Sequence, residues 1–261
     1  MVRRVRIPVR SFGEDAPIPE EVLLTEWIRE HQGMEADLIT CLLDLSMHHQ
    51  EGVDLPCIGG EFYHERWLCS IEGLEGRRLV GEPAPRGRDV LMDLAVVSRN
   101  RTNLWWAIPA PHLLALEDRH FGDPEEFLSA ISDCYLGLMR EMRDQGAYGH
   151  VLLCKRIVEE ELELLSSKKR LFFMPSPSPE DLELLLEYQP EVMLPSTMLP
   201  LLNDLLDRYS IRRIALLDPD AEDITQALEH LDSDRIMVGG YCRRDCENYW
   251  PDLISRAYVT R

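Results

Sequence analysis

The sequence holds no apolar run approaching the roughly 18–20 residues that a membrane span requires, no C-x-x-C pair and no low-complexity linker. Basic residues are scarce: 28 Lys and Arg stand against 47 Asp and Glu, a formal net charge of −19. So acidic a surface repels phosphate backbones and anionic lipids, which makes nucleic acid and membrane poor partners. A small-molecule ligand is the expected partner, with self-association left open. The start, Met1 to Arg10, is basic but has no apolar h-region, and it reads as a mature cytoplasmic N-terminus. Seven cysteines (41, 57, 69, 134, 154, 242 and 246) are odd in number and scattered, with Cys242 and Cys246 the one close pair. Reduced thiols fit that distribution better than a disulfide framework. There is also no G-x-S-x-G elbow, Walker loop, G-x-G-x-x-G turn or H-E-x-x-H helix.

What is present is a globular composition: 261 residues, 45% apolar and 29% charged. Short apolar runs alternate with longer amphipathic stretches. His150–Cys154, Leu171–Met174, Val192–Leu194, Ile214–Leu217 and Ile236–Val238 are continuous rather than alternating, as strands covered on both faces of a parallel sheet should be. Earlier runs at Val5–Val9, Val53–Ile58, Leu79–Val80 and Leu104–Pro109 complete nine strand candidates. Helices are expected over Glu35–Gln50, around Val90–Asn100 and over Glu125–Gln145. Asp123-Pro-Glu-Glu126, Ser178-Pro-Glu-Asp181 and Asp220 with Asp223 carry helix-start signals. The reading is α/β: a single domain over 1–261, an eightfold β/α barrel with the short third strand in a hairpin. A doubly wound open sheet is the competing architecture. Recurrent strand-end loops at Pro109, Pro175, Pro195, Pro219 and Gly239 lean toward the barrel.

Glu51-Gly-Val-Asp-Leu-Pro-Cys-Ile-Gly-Gly-Glu-Phe62 resembles the "GlD…GEf" segment of cobalamin-independent methionine synthase. Ile7–Phe12 is similar to that family's first strand, Ile108-Pro-Ala-Pro-His112 to its "GP" turn, and Ile236–Cys242 to its last strand, in the same order along nearly the whole chain. The resemblance implies a β/α barrel of the kind shared with uroporphyrinogen decarboxylases and corrinoid methyltransferases. In the synthases a zinc-bound thiolate attacks a methyl donor, through a His/Cys/Glu/Cys ligand set. This chain departs from that set. Phe172-Phe-Met-Pro-Ser-Pro177 stands at the His-x-Cys pair, Val192–Thr197 at the Glu, and Leu153-Cys-Lys-Arg156 at the Asp-Glu-Pro that holds the substrate amine. Cys242 is retained.

The resemblance makes Glu61 the substrate contact and a candidate catalytic acid, beside Gly59-Gly60, which would let a ligand approach the backbone closely. Asp218 falls where the family's strand carries an Asp and is a candidate acid–base group, although Asp218-Pro219 also reads as a turn. Ser11 and His112 are further candidates for substrate binding. Cys242 and Cys154, at strand ends, are the candidate metal ligands, with zinc the implied ion and His64 or His112 completing the set; small buried thiols are the plainer reading. The basic pair Arg243-Arg244 reads as carboxylate-binding or as paired with neighbouring acids. Glu159-Glu-Glu-Leu-Glu163 reads as a solvated helix face. Two functions stay open: a methyltransferase-type enzyme acting on a small thiol, methylated or carboxylated substrate, and an inactive relative that binds a metabolite or a protein.

Overall fold

Apolar runs such as Leu171–Phe173 and Ile214–Leu217 become strands, and capping residues just beyond them, Ser178 and Asp220, start the next helices. A computed structural model describes residues 4–15, 17–33, 37–98 and 103–260. In chain order the elements are β1 (Arg4–Arg6), β2 (Val9–Glu14), α1 (Glu21–Glu30), α2 (Leu38–His49), β3 (Cys57–Ile58), α3 (His64–Leu68), β4 (Leu74–Glu75), β5 (Arg78–Leu79) and α4 (Arg88–Val97). There follow β6 (Trp105–Pro109), β7 (Glu117–Asp118), α5 (Pro124–Asp144), β8 (Gly149–Leu153), α6 (Glu159–Leu165), β9 (Arg170–Phe173), α7 (Pro179–Tyr188) and β10 (Glu191–Pro195). The chain ends with α8 (Leu202–Arg208), β11 (Arg213–Leu217), α9 (Ala221–Ala227), β12 (Ile236–Cys242), α10 (Cys246–Arg256) and β13 (Tyr258–Thr260). The helix starts at Asp123, Ser178 and Asp220 are capped as their sequences predict, the last two by reciprocal boxes with Asp181 and Asp223.

The first strand is displaced from its expected place. Arg4–Arg6 leaves the parallel system and pairs antiparallel with β13, while β2 supplies the strand. The helix expected over Glu35–Gln50 begins at Leu38; Glu35 and Ala36, like Arg99 and Asn100 after α4, lie outside the described residues. The third short run forms the β4–β5 hairpin, with β7 added parallel to β5.

The eight long-range strands are all parallel and run as two sheets, β10-β11-β12-β2 and β3-β6-β8-β9. Two junctions lie between them. At the first, Ser11 N–H donates to Leu55 O at 3.0 Å and Glu14 N–H to Gly59 O at 3.0 Å, so β2 lies directly beside β3. At the second, the buried Gln189 amide takes the place of a neighbouring strand: its Oε1 accepts from Phe172 N–H at 2.9 Å, and its Nε2 donates to Phe172 O and Glu191 O. That side chain satisfies backbone groups that would otherwise be orphaned between β9 and β10. The continuous strand ladders are therefore two, and they meet at these two junctions.

Side chains sort by strand face as a period of two requires. One buried cluster takes Phe12, Cys57, Ala107, Val151, Phe173, Met193, Ala215 and Met237, one from each of the eight parallel strands. Trp105 joins that inner cluster, while Trp106 packs with the helices on the outer face. Arg10 is buried at the end where the strands begin, paired with Glu191 at 2.9 Å and stacked 4.3 Å over Trp105.

His150 on β8 is fully buried with neither ring nitrogen partnered. Burial, aided by the charges of Arg143 and Arg170, pushes its pKa down to about 3. The unfolded imidazole titrates near ~6.5. Between those values the unfolded chain binds the extra proton, so this residue's contribution is intact above pH ~6.5 and lost as pH falls toward ~3. His150→Leu should therefore flatten the acid limb of the stability curve. The melting-temperature difference, variant minus wild type, should be more positive at about pH 4.5 than at about pH 7.5; an equal difference at both would refute it.

Candidate functional site

Parallel strands share one polarity, so their C-terminal ends gather loops at one end of the interior. There the structure opens two adjoining cavities of ≈ 190 and ≈ 290 Å³ that share Pro175, Ser176, Tyr241 and Arg243. Glu61, Leu113, Cys154, Lys155 and Met174 line the first; Phe173, Leu217 and Asp218 line the second. The floor is a column of rings from three strands: Phe12 stacks on Phe173 at 4.8 Å, and Phe173 on Tyr241 at 5.6 Å.

Asp15, just beyond β2, ties the rim together. Its Oδ1 accepts from Glu61 N–H at 2.7 Å and from Tyr241 Oη at 2.9 Å, joining the ends of β2, β3 and β12. Burial raises the Asp15 carboxyl above its ordinary value, against the pull of those two hydrogen bonds. Glu61 faces Lys155, with Oε1 3.3 Å from Nζ, and both side chains are more than half exposed. So exposed a pair is screened and easily opened by a competing ligand. Asp218 sits in the left-handed region at φ 49°, and its Oδ1 accepts from Tyr249 Oη at 2.5 Å. The turn that Asp218-Pro219 predicts is real, and it places the carboxylate at the cavity. Among the described residues no carboxylate forms an ion pair with Arg243, whose charge acts on Asp15 from a distance.

Of the residues that the sequence singles out, the structure brings Glu61, Cys154 and Asp218 to these cavities and leaves Ser11, His112 and Cys242 outside them. Ser11 is wholly buried; its Oγ donates to Cys57 O and accepts from Gly13 N–H, joining β2 to β3. Cys242 turns outward into the layer beneath α10, while its neighbours Tyr241 and Arg243 face the cavity. His112 is not a solvated loop histidine. Its Nδ1 lies 2.9 Å from Glu161 Oε2, and its backbone N–H donates to Glu161 Oε1 at 2.8 Å. The acidic run of α6 is thus divided: Glu159, Glu160 and Glu163 are solvated, while Glu161 is buried. Gly59-Gly60 makes room for backbone and not for ligand, since a Cβ on Gly59 would lie 2.5 Å from Ala107 O and one on Gly60 2.1 Å from Glu14 O. Tyr241, Lys155 and Ser176 are lining residues that sequence reasoning missed; strand-end position was the one signal available for them.

A zinc thiolate site at this mouth would need several convergent sulfur and nitrogen donors. Among the described residues that line the cavities there is one thiol and no imidazole. That thiol, Cys154, donates to Phe173 O at 3.2 Å, and burial pushes its pKa far up. Cys154 and Cys242 pack in separate clusters. The donor set does not fit the ion.

No protein-family model and no curated protein matches the sequence. Solved structures do match. One is a B12-independent methionine synthase from Shewanella sp. W3-18-1 in complex with selenomethionine, with a TM-score of 0.65, 13% identity and 97% of each chain covered. Another is a putative vitamin-B12 independent methionine synthase from Listeria monocytogenes, at 0.63 and 16%, covering 97% of this chain and 98% of that one. At these identities the likeness establishes fold, and it agrees with the ordered motifs that suggested the family. This chain has the mixed α/β fold, built on parallel strands, of the cobalamin-independent methionine synthases.

Proposed function

We propose that the eight parallel strands form one (β/α)8 barrel in a single domain, and that its mouth binds a small carboxylated metabolite of amino-acid type. Closure is supported by the inner cluster, which draws on every parallel strand, and by the Phe12–Phe173 stack between the two sheets. The binding reading rests on one observation: Arg243, in no ion pair among the described residues, shares a cavity with the exchangeable Lys155–Glu61 pair. The two cations suit a carboxylate, Glu61 and Asp218 suit an amine, and Met174, Leu113 and Leu153 suit an apolar chain between them. A mouth whose described lining residues offer one thiol and no imidazole favours a metabolite-binding relative over methyl transfer through a metal thiolate.

The selenomethionine held by the Shewanella protein makes methionine-type amino acids the natural first probes. Titration calorimetry with L-methionine should show saturable binding. The amine analogue lacking the carboxylate should bind about tenfold or more weakly, as loss of a charge-assisted hydrogen bond implies. Arg243→Ala and Lys155→Ala should each weaken methionine comparably. Methionine binding that survives the double variant unchanged, or no binding of any methionine-type acid, would overturn the proposal.

A further inference from the structure

Behind the mouth, on the outer side of β2 and β12, three donors of different chemistry meet from distant parts of the chain. Glu14 ends β2, His49 ends α2 and Cys246 opens α10; their donor atoms all lie within 4.8 Å of one another. Asp245, in the left-handed region at φ 51°, turns the chain so that Cys246 folds back beside Cys242. We infer that Glu14, His49 and Cys246 form a binding site for a borderline-soft divalent cation, zinc being the ion best matched to carboxylate, imidazole and thiolate together.

The Glu14 carboxylate is completely buried, and its ion-pair partner is an imidazole, His49 Nδ1 at 2.8 Å from Oε1. An ionised carboxylate so placed is costly unless its charge is met. Its other oxygen is held: Trp250 Nε1–H donates to Oε2 at 2.7 Å, and Gln50 Nε2 lies at 3.4 Å. Gln50 is itself fixed to both backbone groups of Cys57. Such outer hydrogen bonds commonly orient a ligating carboxylate, and here they leave Oε1 on His49. His49 keeps a fifth of its side chain exposed, which provides an entry path.

The charges and protons balance. On binding, the Cys246 S–H bond breaks and its proton passes to solvent; the sulfur's electron pair goes to the ion. The hydrogen that His49 Nδ1 shares with Glu14 Oε1 in the ion-free pair also leaves to solvent, and the ring is left with one proton, on Nε2, so that the Nδ1 lone pair faces the ion. A dication with one carboxylate and one thiolate is neutral, so the buried negative charge disappears. Tetrahedral zinc places its donors about 3.3–3.8 Å apart, so the His49–Glu14 pair needs to part by under about 1 Å. Without an ion, the neighbouring Cys242 thiol, burial and the Glu14 charge hold Cys246 strongly protonated.

This site shares no residue with the lining of the mouth cavities, so metal binding can be tested without the mouth's ligand. Cobalt(II), added alone to the full chain stripped with chelator, should bind with one ion per chain. The complex should show a thiolate-to-cobalt charge-transfer band that zinc abolishes. Cys246→Ser should remove the band. His49→Ala, at the exposed side of the cluster and so least disruptive to folding, should weaken binding by more than about tenfold. Cys69→Ser, which alters an exposed cysteine, should change neither. No band in the wild-type chain, a band that survives Cys246→Ser, or affinity unchanged in a folded His49→Ala protein would overturn the assignment.

Discussion

Replacing Glu161 with Ala should cost about 3–5 kcal/mol of stability, because it breaks a buried pair and leaves its partner behind. Both Glu161 oxygens are engaged by His112, one by the ring and one by the backbone N–H. Truncation orphans that N–H and leaves an imidazole whose Nε2 already has no partner. Leu113, the next residue, lines the mouth, so the loop that loses its anchor is part of the cavity wall. A fall of roughly 10 °C in melting temperature is expected for a chain of this size. Glu163→Ala, two residues along the same run but solvated, should stay within about 0.5 kcal/mol. Denaturant unfolding of the two variants side by side checks the contrast; equal stabilities would mean that the His112–Glu161 pair does not hold the loop.

Gly60→Ala should be comparably severe, for a steric reason. The backbone there is extended, at φ 177°, and any residue can adopt it. The obstacle is space: a Cβ would stand 2.1 Å from Glu14 O and 2.7 Å from Asp15 Oδ1. A carbonyl inside the strand framework cannot rotate aside as a side chain would, so β2 and the start of the Glu61 turn must move apart. The expected cost is about 3 kcal/mol or more. The displacement would also strain the Asp15 hydrogen bonds to Glu61 and Tyr241 that knit the rim. Ligand affinity at the mouth should thus fall along with stability. Gly81→Ala, whose Cβ would meet nothing closer than 3.8 Å, is the control and should be nearly silent. Wild-type unfolding and binding in the Gly60 variant would show that the junction of β2 and β3 is looser than its hydrogen bonds indicate.

Local chemistry wrote part of this molecule plainly. Continuous apolar runs such as Ile214–Leu217 became parallel strands because both faces of each are covered. Asp123, Ser178 and Asp220 capped helices where they stood, since a cap needs only the three residues that follow it. The alternate burial of Trp105 and Trp106 follows from strand geometry alone. The collinear motifs were enough to suggest the fold.

Other features depend on partners from tens to more than two hundred residues away. Nothing in Glu159-Glu-Glu-Leu-Glu163 marks the middle acid as buried until His112 arrives beside it. Gly59-Gly60 looks the same in sequence whether the space beside it admits a ligand or, as here, the backbone of β2 and β6. Which of Tyr241, Cys242 and Arg243 face the mouth is set by the twist and irregular register of β12 against β2. Glu14, His49 and Cys246 have no spacing to recognise; they meet because β2, α2 and α10 pack together. Propensity and capping are decided within a few residues, so the sequence by itself determined strands, helices and their order. Burial of a charge and convergence of donors are decided by what packs across the fold, and only the tertiary structure could decide them.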